Sequence, residues 1–502
     1  MSLKKNILAN YASQIYVTII GIVMVPLYVR YMGAEAYGLV GFFAMLQAWF
    51  QLLDIGLTPT MSREAARFRG GATDAVSLRG LLRVLEGIFI AVAVMGAAAM
   101  IASAGVIASD WLKVQQLPQG EVRHAIMLMA VTVALRWVCG LYRGAINGFE
   151  HLVWLSGFNI AIATARFVLV IPVFIFFGTS PTLFFAYQAV VAIVEVLILV
   201  AQTYRLLPKV GAGQRMSWQW RPLQRVLKFS LSIAFTSVIW VLVTQTDKLI
   251  MSKVLLLTDY AYFTLAVLVA GGILVLSTPI SGALMPRMTK LNAEGDELGL
   301  IRIYRHATQA MGITAVPPAL VLAFFPEQLL WAWTGDPVVA GKAAPILALY
   351  AIGNGLLALA AFPYYLQFAK GDLKMHLLGN ALFVIIFIPL LVWASNHYGA
   401  IGAGYAWIIA NLLPFIAWLP LVHRRFVKGL HTQWLLRDVL PITILPLVLA
   451  FALQQWVTWP NSRFSVALGL VALGVALCLG AALGSSWARE VIARKWRTAS
   501  SA

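Results

Sequence analysis

The chain has 502 residues, of which 61% are hydrophobic and 11% charged, and its formal net charge is +18. Soluble globular chains run nearer about 45–50% apolar and about 25% charged, so this composition excludes a soluble globular protein and predicts an all-α chain that crosses a bilayer many times. Cys139 and Cys478 both lie in apolar runs, and the seven histidines are scattered without ligand spacing, so neither a disulfide framework nor a metal centre is expected. No HExxH and no phosphate-binding glycine loop after a strand pattern occurs. With no nucleotide-binding domain, no cofactor is expected; uphill work would draw on a proton or sodium gradient, the substrate gradient or a partner.

A span needs about 20 apolar residues. Windows of that size give about fourteen in chain order, near 10–29, 37–60, 84–108, 124–142, 152–178, 181–204, 229–255, 260–285, 306–331, 341–368, 375–396, 399–422, 438–458 and 464–484. The basic start MSLKKN runs into an apolar stretch too long for a signal-peptide core and without a small-residue cleavage site, so it reads as a retained first span. In that span Asn10, Gln14, Thr18 and Gly21 form a polar or small stripe, which fits either a cavity wall or close helix packing. Pro26, Pro172, Pro279, Pro318 and Pro389 fall within spans, where they are expected to interrupt helices.

The loops orient the chain. With the N-terminus inside, only Arg30, Lys113, Arg123, Lys253, Lys342 and Arg463 fall on the outer side. Arg136, Arg166 and Lys248 fall within spans, and the rest of the 37 lysines and arginines fall on the inner side. That bias predicts a multi-pass membrane protein with both termini cytoplasmic. It also assigns the positive charge to anionic membrane lipid rather than nucleic acid. The expected organisation is a six-helix lobe at 1–206, a basic linker at 207–228, a second six-helix lobe at 229–423, two further spans within 424–485 and a basic tail at 486–502. VRYMGAEAYGLVGFFAML and MSKVLLLTDYAYFTLAVL form a faint internal repeat that sets Tyr37 opposite Tyr262, as two pseudo-symmetric lobes around a central cavity would require.

Charges inside an apolar span face polar cavities or one another. Arg136 and Arg143 are seven residues apart on the fourth span, and Arg166 is midway along the fifth. A guanidinium forks onto phosphate oxygens, so these cations suit a diphosphate head; alternatively they pair with Glu86 and Glu195. Asp54, Glu86, Glu195 and Asp247 are candidates for binding a coupling ion or for pairing with arginine, and Asp54 also sits where Gly56 and Pro59 would break a helix. In the seventh span Ser230, Ser237, Trp240, Thr244 and Asp247 share a face, so Trp240 and Thr244 join Asn10 and Gln14 as sugar-facing candidates. Lys248 is a further phosphate ligand. Adjacent helical residues point about 100° apart, so Asp247 and Lys248 are not expected to pair directly. Trp137 is a second, deeper indole that could stack on a sugar.

Residues 25–67, VPLYVRYMGAEAYGLVGFFAMLQAWFQLLDIGLTPTMSREAAR, combine a helix with Pro, a Gly-x-x-x-Tyr-Gly turn, an Asp-Ile-Gly-Leu segment and a basic stretch. They resemble the N-terminal signature of bacterial polysaccharide and O-antigen flippases, and TQTDKLIMSKVL resembles that family's seventh-helix pattern. The family belongs to the multidrug/oligosaccharidyl-lipid/polysaccharide exporter superfamily. The resemblance implies two six-helix lobes, alternating access and an oligosaccharide carried on polyprenyl pyrophosphate for surface polysaccharide such as lipopolysaccharide, handed on to polymerase or ligase proteins. It implies no enzymatic activity. The two extra spans are shared with the related lipid II flippases, where they form a groove for the lipid tail. Two other readings stay open: an ion-coupled drug/cation antiporter on the same fold, whose cavity should be net acidic, and a polysaccharide polymerase or ligase, which would need catalytic residues in a sizeable outer loop.

Overall fold

The computed structural model describes residues 3–54, 56–208, 221–276 and 278–491, with only the helical course given over 221–237. Expectations resting on the linker 209–220, on the side chains of Ser230, Ser237 and Pro279, and on the tail beyond 491 lie outside the described residues. Every regular element among the described residues is helical. Twelve stretches are long and apolar enough to cross a membrane. Their outer surfaces keep side chains such as Phe176, Phe177 and Phe464 more than three-quarters exposed, as a hydrocarbon solvent requires.

The chain divides into two compact units, Met1–Ala261 and Tyr262–Ala502. The first opens with α1 (Leu3–Val23) and α2 (Val25–Met32), two pieces of one span parted at Met24. Pro26 has no N–H for the carbonyl of Ile22, which stops the helical ladder there. Gly33, at φ 83°, turns the chain into α3 (Ala34–Phe50). The expected span at 37–60 ends early, at Asp54. Its carboxylate accepts hydrogen bonds from Thr58 N at 3.0 Å and Thr58 Oγ1 at 2.8 Å, starting α4 (Leu57–Arg69) in a new direction. Asp74 caps α5 (Ala75–Val106) by accepting from Ser77 N at 2.7 Å, and that bond holds its carboxyl below the usual range.

Next come α6 (Gln119–Gly148), α7 (Leu152–Phe167), α8 (Val170–Phe177), α9 (Pro181–Leu206) and α10 (Arg221–Val254). Helix α6 is the hub, packed on α4, α5 and α9. Gly140, Gly144 and Gly148 recur every four residues along the side that meets α4. A Cβ on Gly144 would lie 2.6 Å from the Thr58 carbonyl, so this face admits only hydrogen. The buried carboxylate of Glu35 accepts from the backbone N–H groups of Gln115 (2.5 Å), Gln116 (2.9 Å) and Leu117 (3.1 Å), pinning the loop before α6. The end of α10 is fastened to the same loop: Trp111 Nε1 donates to Ser252 Oγ at 3.0 Å and Leu257 N to the Lys113 carbonyl at 2.9 Å. These contacts group α10 with the N-terminal unit, whereas the sequence placed the change of lobe at 207–228.

The second unit takes up most of α11 (Leu257–Val275), then α12 (Thr278–Ala293), α13 (Glu297–Phe324), α14 (Pro326–Thr334), α15 (Pro337–Ala360) and α16 (Phe362–Ala369). It continues with α17 (Lys374–Leu413), α18 (Leu419–Phe426), α19 (Leu430–Gln433), α20 (Leu440–Trp456) and α21 (Arg463–Gly484). The expected spans 375–396 and 399–422 run through one stretch that kinks at Gly399 (φ 57°, ψ −137°). Pro318 and Pro389 lie inside α13 and α17, which continue through them, contrary to the expected interruptions. The break falls instead at Pro363, which starts α16. Neighbouring helices tolerate a membrane proline by re-satisfying the freed carbonyl, so a proline alone does not decide a break.

The residues after 424 are not an appendage. The Gln309 amide on α13 donates to Asp438 Oδ1 at 2.6 Å and to Ser486 Oγ at 3.0 Å. Its oxygen accepts from Ser485 Oγ at 2.7 Å and Trp487 N at 2.9 Å. Arg305 forks onto Asp438 at 2.6 and 3.0 Å. A polar pair satisfied on all sides within an apolar bundle fixes register, and here it locks α20 and α21 to α13.

Candidate functional site

Three helices of the N-terminal unit each carry polar residues seven apart. They are Arg136 and Arg143 on α6, Gln188 and Glu195 on α9, and Asn159 and Arg166 on α7. Seven residues is close to two turns, so each pair lies on one face, about 10 Å apart along the axis. The structure sorts the six into two rows.

In one row Arg143 Nη2 meets Glu195 Oε1 at 2.6 Å, Arg143 Nη1 donates to Asn159 Oδ1, and the guanidinium lies over the Phe158 ring. Glu195 is buried, and this row is electrically balanced.

The other row is not balanced. Arg136 Nη2 donates to Gln188 Oε1 at 2.5 Å and Nη1 to Gln47 Oε1 at 3.3 Å, with its Cζ 5.2 Å from the centre of the Phe43 ring. Gln188 in turn donates through Nε2 to the Arg166 carbonyl at 2.9 Å. The Arg166 guanidinium lies 5.5 Å from the Phe167 ring centre and makes no hydrogen bond or ion pair among the described residues. The Nε atoms of both Arg136 and Arg166 are buried without an acceptor. Two cations in a low-dielectric interior, with amide oxygens and rings as partners and no carboxylate in the row, leave donor groups and positive charge that an anion would satisfy.

A broken helix sets the position of Arg166. Pro172 has no N–H for the Val168 carbonyl, which accepts from Ile171 N at 3.0 Å, and Leu169 N turns to the Thr164 carbonyl at 3.1 Å rather than to that of Ala165. The carbonyls of residues 165–167 are met by side chains instead: Tyr187 Oη on Ala165 (2.7 Å), Gln188 Nε2 on Arg166 and Tyr28 Oη on Phe167 (2.7 Å). Donors from α2 and α9 therefore hold the C-terminal end of α7. A cation on the last turn also complements the partial negative charge of that helix end.

The other expected site residues take different places. Asp54 caps α4 and Glu86 accepts from Tyr142 Oη (3.0 Å) and Tyr204 Oη (2.9 Å), so Glu86 is paired with phenols rather than guanidinium. Asp247 and Lys248 do meet, at 3.6 Å, against the expectation from their 100° separation. The Lys248 stem bends back so that Nζ also donates to the Thr244 carbonyl at 2.6 Å, and the long flexible side chain outweighs the Cβ direction. Lys248 is thereby engaged away from the arginine row. Trp137 is buried and stacked on Phe89 at 4.3 Å, which closes it to a sugar. Asn10, Gln14 and Trp240 are exposed and Thr244 partly so, with the Thr244 hydroxyl turned back onto the Trp240 carbonyl.

Gln47, Asn159, Gln188, Tyr28 and Tyr187 belong to the site but went unremarked in the sequence because they carry no charge. The detectable signal was the repeated seven-residue spacing of Gln188 with Glu195 and of Asn159 with Arg166.

The profile of the family described as "Polysaccharide biosynthesis protein" matches residues 3–292. The "Putative O-antigen transporter" of Shigella flexneri is 22% identical over 424 residues, covering 84% of this chain and 98% of that protein. Among solved structures, a lipid II flippase, MurJ, in an inward closed conformation superposes with a TM-score of 0.71 at 14% identity, covering 96% of this chain and 99% of that one. An inward-facing multidrug resistance MATE family transporter of the MOP superfamily gives 0.66 at 15% identity over 83% and 96% of the two chains. The all-helical fold, the membrane spans and the family match agree: the chain belongs to the polysaccharide biosynthesis protein family and is a multi-pass membrane transporter.

Proposed function

We propose that the protein is a flippase that moves an oligosaccharide linked through pyrophosphate to a polyprenol across the bacterial cytoplasmic membrane by alternating access. The observation that carries this reading is the row of Arg136 and Arg166, which holds two guanidinium groups and no carboxylate. A diphosphate diester brings two negative charges and acceptor oxygens for the bare Nε groups, and charge-assisted guanidinium–phosphate bonds are among the strong ones. In this mechanism Arg136 and Arg166 seat the diphosphate, Gln188 orients both, and the exposed polar residues Asn10, Gln14 and Trp240 meet the sugars. Arg143 is already neutralised by Glu195 and takes a supporting part. Whether a proton or sodium gradient drives the cycle would be read from the same assay.

The test is a reconstituted one. Purified protein in liposomes is given a fluorescent polyprenyl-diphosphate oligosaccharide, and movement is scored by protection from a reagent outside. Protein-dependent movement is expected, with Arg136→Ala and Arg166→Ala each slowing it about 100-fold or more, a loss of roughly 3 kcal/mol of anion binding. Full activity in both variants would remove the diphosphate seat from this row. Transport of a cationic drug by the same vesicles, without lipid movement, would favour the antiporter reading instead.

A further inference from the structure

A basic cavity lies wholly within the C-terminal unit and shares no residue with the arginine row. It encloses about 1060 Å³, within reach of the pocket sizes that hold small ligands. Its wall brings together four separate segments: the start of α13, the turn at 427–429, the segment 434–439 and the segment after α21. Each supplies cations. Arg305 is spent on Asp438, but the side chains of Arg302, Lys428, Arg437 and Arg489 make no hydrogen bond or ion pair among the described residues. The carboxylate on the lining is Glu490. Four cations without a partner among the described residues line one cavity and repel one another, and an anion between them would relieve that repulsion.

The apolar residues of the same wall narrow the choice of anion. Leu298 is 77% exposed and Leu436 56% exposed, beside Arg302 and Arg437 respectively. A water-soluble phosphate has no use for exposed leucines at the rim, whereas a phosphodiester bearing acyl chains satisfies both features. We propose that this cavity binds the headgroup of an anionic glycerophospholipid, its phosphodiester among Arg302, Arg437 and Arg489 and its acyl chains over Leu298 and Leu436. Because α13 is locked to residues 438 and 485–487 beneath this wall, an occupied cavity braces the same joint from outside.

The test uses the full chain in a neutral detergent and native mass spectrometry with phosphatidylglycerol, phosphatidylcholine, sn-glycerol 3-phosphate, inorganic pyrophosphate and a polyprenyl diphosphate as separate probes. One tightly retained phosphatidylglycerol is expected, with phosphatidylcholine bound at least tenfold more weakly. Arg302→Gln, Arg437→Gln and Arg489→Gln together should weaken it about 100-fold, and Arg437→Glu alone should weaken it about tenfold or more. Arg424→Gln, outside the lining, should leave it unchanged. These arginines are exposed, so elution profile and thermal midpoint serve as folding controls. Equal retention of both phospholipids, or unchanged binding in Arg437→Glu, would overturn the proposal. Displacement by glycerol phosphate or pyrophosphate at equal concentration would assign the cavity to a free phosphate, and preference for polyprenyl diphosphate would assign it to the transported lipid; either result overturns the glycerophospholipid.

Discussion

Arg143 and Arg166 stand one row apart in the same helical unit, yet their removal should have opposite consequences. Arg143→Ala would leave Glu195, whose side chain is 3% exposed, as a bare buried carboxylate. Breaking a buried pair from one side costs about 3–5 kcal/mol, so the thermal midpoint in detergent should fall by several degrees. The Arg166 guanidinium has no hydrogen bond to lose among the described residues, and Arg166→Ala should leave the midpoint level or raise it while transport collapses. A calorimetric or scattering-based melting series on the two variants reads this directly, and a stabilising role for Arg166 would show as a lowered midpoint. The arginines were legible in the sequence because a charge in an apolar run is conspicuous. Gln188 was not, although it touches both Arg136 and the Arg166 backbone, because an amide in a span is common and only its partners reveal its task. The pairing of Asp247 with Lys248 was misjudged for a related reason: Cβ directions say little about where a four-carbon stem ends.

At the scale of elements, hydropathy located most of the spans, but twelve stretches among the described residues qualify where about fourteen were expected, and the breaks within them did not follow from it. Pro26, Pro172 and Pro363 stand at breaks, while Pro318 and Pro389 sit in continuous helices. At Pro172 the carbonyls that end α7 have partners outside their helix, since Tyr187, Gln188 and Tyr28 donate to those of residues 165–167. Pro172→Ala restores an N–H and permits α7 and α8 to join. A continuous helix would carry Arg166 round from its seat, so vesicle transport should fall about tenfold or more with the thermal midpoint not lowered. Undiminished transport in this variant would mean that the break does not set the arginine's position.

For the whole molecule, composition and the sign of the loops carried most of the reading. The all-helical membrane fold and the family followed from them together with the signature near the N-terminus and the seventh-helix pattern TQTDKLIMSKVL. The division of the chain did not, because α10 is fastened to the N-terminal unit through Trp111, Lys113 and Ser252, none of which signals a boundary. Topology remains open to a direct prediction. With Cys139 and Cys478 replaced by Ser, a cysteine at Gln116 should react with an impermeant maleimide on intact spheroplasts. A cysteine at Ala72 should react only after the membrane is opened, as both exposed turns and the charge bias require. The reverse pattern would invert the orientation proposed for every loop.

The joint at Gln309 bears on how the protein is made. The amide is 1% exposed within an apolar span, and its partners lie 129 to 178 residues further along the chain. At translation rates of about 5–20 residues per second, α13 waits of the order of ten seconds or more before those partners emerge. During that interval Gln309 stands unmatched in its span, so the last helices finish a segment synthesised long before them. A nascent chain stopped short of residue 438 would therefore leave a polar group unmatched in its middle rather than merely lack an end.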